Sequence, residues 1–514
     1  MIVVYHHNNK VVEVVLEKQN VNFATNNISN VLVEIAISDP DEILIWCSLD
    51  LKPNLNLSEM AAVFHHKKIM ASYNPFTTSL LSKAIGYVEE SPFININKQV
   101  TYPTWQMSSC VGGIHAGVLL QLKNSISTGN NFEYFLHSIA KLAMNNGLLC
   151  YSEPLLLKNH INRISDKKES SFVLFEFVKQ HYKTRWVFLL FFNLFLYERK
   201  ISLFPLIFSL FYSKRKLDKK VLNTLEIKSS KKIIDTEEVD IIIPTIGRKD
   251  FLYDILKDFS VQTNLPKKII IVEQNTNLES ISELDYLQNE SWPFNIKHIF
   301  THQAGACNAR NLALDEIESE WVFMADDDIR IKDSFLKEAF VQIHKFGLNE
   351  ITFGCYDSGY DFNKKYRNHM QWETFGSGCS IVKRKSLETL KYRKSFEFGY
   401  GEDADFGMQL RNKGLDIIYF PEPEILHLKA PVGGFRTKPV LEWQKDIIQP
   451  KPSPTVMLYK ILHLSKEQIN GYKTILFFKF YKLQSIKNPI RYFFYFKKQW
   501  NQSEYWANQL KNKI

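Results

Sequence analysis

The segment Trp321-Val322-Phe323-Met324-Ala325-Asp326-Asp327-Asp328 constrains this chain more than any other: an apolar run that reads as a buried strand stops abruptly at three carboxylates. Adjacent like charges repel, and a fold tolerates them at a strand end mainly when a cation sits among them. Oxygen-only donors at such a point suit Mg²⁺ or Mn²⁺. A solvated acidic turn ahead of a helix would use the same residues, because Asp is common in turns and in helix first turns. The flanking segments bear on that choice.

Upstream, Val239-Asp240-Ile241-Ile242-Ile243 runs into Pro244-Thr245-Ile246-Gly247-Arg248. An amphipathic stretch follows, with Phe251, Leu252, Ile255, Leu256 and Phe259 at helical spacing. A second apolar run, Lys268–Val272, ends in Glu273-Gln274-Asn275, and a weaker one covers Ile296–Phe300. After Gly305-Ala306-Cys307-Asn308-Ala309-Arg310-Asn311 a helix is expected over Asn311–Ile317. Strands alternating with helices predict a parallel, doubly wound α/β sheet, whose ligands bind at the carboxyl ends of strands. Thr245, Arg248, Glu273 and Asp326–Asp328 all fall at such ends.

Downstream, Phe375-Gly376-Ser377-Gly378-Cys379 reads as a small-residue turn before the strand Ser380–Val382. The loop Phe398-Gly399-Tyr400-Gly401 then feeds Glu402, Asp403 and Asp405 into the first turn of a helix. Carboxylates stabilise a helix N-terminus by themselves, but that does not account for the glycines and aromatics around them. Ile425-Leu426-His427 sets one His at the end of an apolar strand, where a structural His is commoner than a ligand.

Taken in order, these motifs resemble the family 2 glycosyltransferases, which have the GT-A fold, a Rossmann-like nucleotide-diphospho-sugar transferase architecture. The resemblance covers about residues 238–440. It implies donor binding by Pro244, Thr245, Arg248, Glu273, Gly305, Asn308, Arg310, Asp326 and Asp327. It implies Mn²⁺ or Mg²⁺ at Asp326, Asp328 and His427, and a catalytic base at Asp403 with Glu402 beside it. One departure is Glu273-Gln274-Asn275, where many relatives carry Asp-Asn-Xaa-Ser. Sugar transfer needs a cation to offset charge on the leaving diphosphate and a base for the acceptor hydroxyl. One base without a protein nucleophile implies inversion. The expected partners are a nucleotide-sugar donor and a glycan or lipid-linked acceptor, in cell-surface polysaccharide synthesis. The alternatives are a non-catalytic sugar- or nucleotide-binding scaffold and a sugar nucleotidyltransferase. The latter wants a Gly-rich basic loop after the first strand, and Pro244–Arg248 is sparse in that respect.

A net charge of +9 without a dense Lys/Arg stripe argues against nucleic acid as a partner. Six cysteines without CxxC spacing read as reduced thiols. Met1-Ile2-Val3-Val4-Tyr5 enters a strand without a signal-peptide pattern, so a cytoplasmic location is expected, with contact at the inner membrane face as a further expectation.

Residues 1–155 read as a degenerate GT-A-like domain without catalysis, the alternative being an unrelated α/β domain. Asp41–Asp50 mirrors Glu318–Asp328, an apolar strand after an acidic residue, with only Asp50 left of the acidic triplet, and Cys110–Val118 mirrors the small-residue turn. In place of the acid pair stand Leu136 and His137, ahead of an apolar helix at Ile139–Met144. Residues 156–236 form an apolar helical linker, 237–440 the catalytic domain and 441–514 a basic, aromatic helical tail. The apolar runs Val187–Tyr197 and Ile201–Tyr212 fall short of the ~20 residues that span a bilayer. They read either as buried interdomain helices or as a hairpin lying in a membrane interface, flanked by Lys214-Arg215-Lys216 and Lys219-Lys220.

Overall fold

The computed structural model describes residues 1–15, 25–76, 80–129, 131–159, 170–361, 366–431 and 439–514. Parts of the expected linker (160–169) and of the expected catalytic segment (432–438) lie outside the described residues. The chain divides into two units, Met1–Lys231 with Leu464–Leu483, and Lys232–His463 with Gln484–Ile514. The stretch 441–514, read from sequence as one tail, thus contributes helices to both. Lys466–Tyr481 belongs to the first unit, and Pro454–His463 and Pro489–Lys511 belong to the second.

The first unit carries β1 (Ile2–His7), β2 (Lys10–Val15), β3 (Ile43–Ser48), β4 (Ile69–Tyr73), β5 (Tyr102–Pro103), β6 (Val111–His115) and β7 (Leu149–Ser152). The second carries β8 (Val239–Thr245), β9 (Lys268–Gln274), β10 (Asn295–Thr301), β11 (Trp321–Ala325), β12 (Ile329–Arg330), β13 (Glu350–Asp357), β14 (Met370–Gln371), β15 (Cys379–Lys383) and β16 (Ile418–His427). Strand order is β2-β1-β3-β6-β4-β7-β5 in one sheet and β10-β9-β8-β11-β15-β13-β16-β12 in the other, where β14 also pairs with β16.

These orders are the same arrangement twice. β1, β3, β6, β4, β7 and β5 correspond in space and in chain order to β8, β11, β15, β13, β16 and β14. The pairings correspond as well: parallel, antiparallel, antiparallel, parallel, antiparallel in each. The outer edge differs. β2 returns as an antiparallel partner of β1, whereas β9 runs parallel to β8.

The second sheet is not wholly parallel, contrary to the doubly wound expectation. β15 runs antiparallel between β11 and β13. β14, antiparallel to β16, already runs in that reverse sense, and the turn around Gly376–Gly378 leads from it into β15. The central strands are buried along their length, with Ile241, Ile243, Ile269–Val272 and Val322–Ala325 excluded from solvent. This is the pattern of strands covered on both faces. It explains why the runs are β-branched and apolar without alternation.

Two helices begin earlier than the sequence suggests. The expected helix at Asn311 starts at Ala306, because a distant residue, Glu397, caps it. The expected helix at Ile139 starts at Phe132, capped by the Asn131 side chain on the Tyr134 amide. The second shift changes the reading of the first unit. Phe132 and Glu133 open their helix as Glu402 and Asp403 open theirs, while Leu136 and His137 lie a turn further along. Glu133 even keeps a serine partner. Ser109 lies two residues before β6 and meets Glu133 at 3.3 Å, as Ser377, two residues before β15, donates to Asp403. The acid position is therefore retained, not replaced.

Candidate active site

The second unit brings the carboxyl ends of β8, β11 and β16 and the starts of two helices around a cavity of about 450 Å³. Of the residues expected from sequence, Pro244, Thr245, Arg248, Gly305, Arg310, Asp326, Asp327, Asp328, Glu402, Asp403 and His427 line it. Two expected donor-binding residues do not. Glu273 turns to His298 Nε2 (2.9 Å) and the Glu283 amide (3.1 Å). Successive residues of a strand face opposite ways, and it is Gln274 that reaches the cavity wall, accepting the Gly305 amide at 2.6 Å. Asn308 stands on the helix Ala306–Leu314 with its side-chain amide on the Gln303 carbonyl.

Each member of the acidic triplet has a basic partner. Arg310 Nη2 donates to Asp326 Oδ1 at 3.0 Å. Arg248 Nη1 donates to Asp327 at 2.6 Å and lies 3.2 Å from Asp328. His427 Nε2 lies 3.4 Å from Asp328 Oδ1. Asp327 is turned inward and also accepts from Thr245 Oγ1 at 2.7 Å. Burial pushes its pKa up to about 6 in spite of Arg248. For Asp328 burial acts upward too, but His427, Arg248 and the Ala430 amide outweigh it and hold the carboxyl below its usual range. His427 is raised in turn by the Asp328 contact. Asp326 is the most exposed of the three and packs over Gly378, where a Cβ would meet its Oδ2 at 2.1 Å. That close approach is the reason for a glycine there.

Across the cavity stand Glu402 and Asp403. Burial and the neighbouring Asp403 raise Glu402 to about 7. Burial raises Asp403 as well, against the opposing effects of Arg310 and the Ser377 hydroxyl. Arg310 therefore acts on both walls: it pairs with Asp326 and lies near enough to Asp403 to draw its pKa down. Its Nε is buried with no hydrogen-bond partner among the described residues. A buried guanidinium with a donor to spare suits an oxyanion ligand.

The sequence reading missed Glu397. Its carboxylate accepts from the Cys307 and Asn308 amides at 3.1 and 2.9 Å, where a helix N-terminus offers unpaired donors. A Cβ at Gly305, whose φ is +142°, would meet that carboxyl at 2.4 Å. Lys429, also on the cavity wall, pairs with Asp357. Neither residue belongs to a local pattern, so no sequence signal pointed to them.

Among the described residues no three His, Cys, Asp or Glu side chains are gathered as a metal-ligand set. The donor chemistry of Asp326, Asp328 and His427, two carboxylates and an imidazole on one cavity, nevertheless suits a divalent cation such as Mn²⁺.

The corresponding place in the first unit is filled. Phe132, in the position of Glu402, is fully buried and packs edge-on against His6 and Trp46, with ring centroids 5.5 and 5.7 Å away. Trp46 Nε1 donates to the Ser108 carbonyl at 2.9 Å, and Asp50 lies exposed beyond β3.

Residues 240–409, about a third of the chain, match the family model described as Glycosyl transferase family 2. A search of curated proteins found no match. Parts of this chain are similar to solved structures of S. aureus TarS. TarS 1–349 matches at 19% identity over 37% of this chain and 60% of that one, with a TM-score of 0.31. Its complex with UDP matches at 18% identity over 49% and 73%, with a TM-score of 0.34. The longer TarS structure matches at 16% identity over 46% of this chain and 42% of that one, with a TM-score of 0.32. This chain thus covers less than two thirds of the length of two of these.

Proposed function

We propose that this chain, whose residues 240–409 form a family 2 glycosyltransferase domain, moves a sugar from a nucleoside-diphosphate donor to a hydroxyl of a glycan or lipid-linked acceptor, with inversion. The observation that carries the reading is Arg310. Its guanidinium joins the Asp326 wall to the Asp403 wall and keeps an unpartnered buried Nε. A diphosphate oxygen is the ligand such a donor suits.

In the reaction the acceptor oxygen attacks the anomeric carbon, and the carbon–oxygen bond to the diphosphate breaks. The electron pair leaves with the diphosphate, and the hydroxyl proton passes to the Asp403 carboxylate. Asp403 is held by Ser377 and set at the start of a helix, so it is oriented before the acceptor arrives. Arg310 offsets charge that grows on the leaving group. Asp326, Asp328 and His427 would hold a divalent cation, which when bound supplies further positive charge beside the diphosphate. Asp327, buried between Thr245 and Arg248, keeps the triplet in place.

The acceptor class and a role in cell-surface polysaccharide synthesis are part of the same proposal. The first unit, with Phe132 in the position of Glu402, acts as a non-catalytic companion.

A thermal-shift screen of nucleotide sugars, with and without Mn²⁺, tests the reading. One donor should raise the melting temperature, more so with the metal, and Arg310→Ala should abolish the shift. A protein that responds to no nucleotide sugar would sink the donor assignment.

A further inference from the structure

The helices Arg185–Glu198 and Leu203–Ser209 of the first unit are apolar on two opposite faces. One face packs inward through Val187, Leu190, Leu194 and Leu206. The other presents Phe188, Phe192, Phe195, Phe204 and Phe208 to solvent, joined by Phe211 in the turn just past the second helix, with Phe204 70% and Phe211 84% exposed. The patch extends to neighbouring helices of the same unit, since Phe208 touches Phe172 and Phe192 touches Phe478. A helix apolar all round needs a second apolar medium. Contiguous patches of this kind mark an interaction site.

Charge narrows the choice of medium. Between Lys183 and Lys220 the chain holds nine Lys and Arg against two acids, Glu198 and Asp218. Glu198 is paired with Lys200 at 2.7 Å. Lys214, Lys216, Lys219 and Lys220 are all exposed directly after the second helix. A second copy of this chain would bring two such cationic rims together, which is unfavourable in a self-complementary interface. No helix among the described residues is long and apolar enough to cross a membrane. The two helices, of 14 and 7 residues, can lie along a bilayer surface but not span it.

We propose that this face docks on the surface of an anionic lipid bilayer, its phenylalanines entering the acyl boundary and its lysines contacting headgroup phosphates. The surface lies outside the cavity described above and holds whether or not that cavity transfers sugar.

Co-sedimentation of the full chain with vesicles tests it. The probes are vesicles of phosphatidylcholine alone and vesicles of phosphatidylcholine and phosphatidylglycerol in equal parts. The protein should pellet with the anionic vesicles, and less so as salt rises. Reversing Lys214, Lys216, Lys219 and Lys220 to Glu should weaken binding by roughly a hundredfold or more. The triple variant Phe204→Ser, Phe208→Ser, Phe211→Ser should weaken it by roughly tenfold or more with an unchanged urea midpoint, since these side chains bury little in the fold. If the triple variant fails to fold, the lysine variant still decides, because exposed lysines carry little stability. Three results would overturn the proposal: no pelleting with anionic vesicles, equal binding by the lysine variant, or a lipid-free dimer in light scattering that the serine variant dissociates.

Discussion

Replacing Asp405 by Ala should cost the second unit about 3 kcal/mol, and the structure supplies the terms. The Asp405 carboxylate is almost wholly buried on the helix that carries Asp403. It accepts from Arg393 Nη1 at 2.6 Å and from Gln409 Nε2 at 2.9 Å, and it meets His463 Nε2 at 2.7 Å. Removing one partner of a buried charge pair costs about 3–5 kcal/mol when the other is stranded. Here Arg393 is partly exposed and regains water, which moves the figure toward the lower end, whereas His463 is buried and regains little. Urea unfolding should report the loss in the transition of the second unit, with a melting temperature lower by roughly 6–12 °C at ~2–4 °C per kcal/mol. Asp405→Asn keeps two acceptor contacts and should cost less. A loss below about 1 kcal/mol for Asp405→Ala would refute the argument, because it would mean that the three contacts do not anchor the helix beneath the base.

Other outcomes follow from the same geometry. Asp403→Asn should keep nucleotide affinity, and should cut turnover by ~10²-fold or more in a transfer assay, as loss of a general base does; unchanged turnover would move the role to Glu402. Asp326→Ala or Asp328→Ala should abolish donor affinity that depends on Mn²⁺ or Mg²⁺, read by calorimetry with and without chelator; wild-type metal dependence in either variant would remove that residue from the ligand set. In the first unit, Asp50→Ala and Glu133→Gln should leave transfer intact, and a large loss of turnover in a folded variant would reveal a second centre there. Glu402 titrates at about 7 in the fold against 4.5 in the open chain, so the unfolded state loses its proton first. Its effect is to lower stability as pH rises from about 4.5 through about 7, and Glu402→Gln should flatten that part of the stability–pH curve.

The structure also assigns meaning to features that looked alike in sequence. Glu273 at a strand end and Glu402 at a helix start both read as acidic site residues, yet Glu273 faces His298 and it is its neighbour Gln274 that faces the cavity. Asp326 and Asp328, read with His427 as metal ligands, and Asp327 between them each meet an arginine or histidine. Like-charge repulsion is thus offset by side chains from Arg248, Arg310 and His427. Any cation at this place competes with them or joins them.

What the sequence determined alone was local. Buried β-branched runs such as Ile241–Ile243 and Ile269–Val272 make strands wherever they are sandwiched, and polar residues at their ends are carried to one edge of the sheet. Eleven of the expected site residues therefore reached a single cavity without any long-range information. Tertiary structure decided whatever depends on a partner far along the chain. Glu397 sets the start of the helix at Ala306 from some ninety positions away. The reversal of β15 and the repeat of one topology in both units rest on which strand pairs with which. Glu133 takes the acid position because its helix is capped at Asn131, a backbone matter that the apolar pattern of Ile139–Met144 concealed. Helix Arg185–Glu198 is apolar on every side, so only packing could choose which of its faces turned inward.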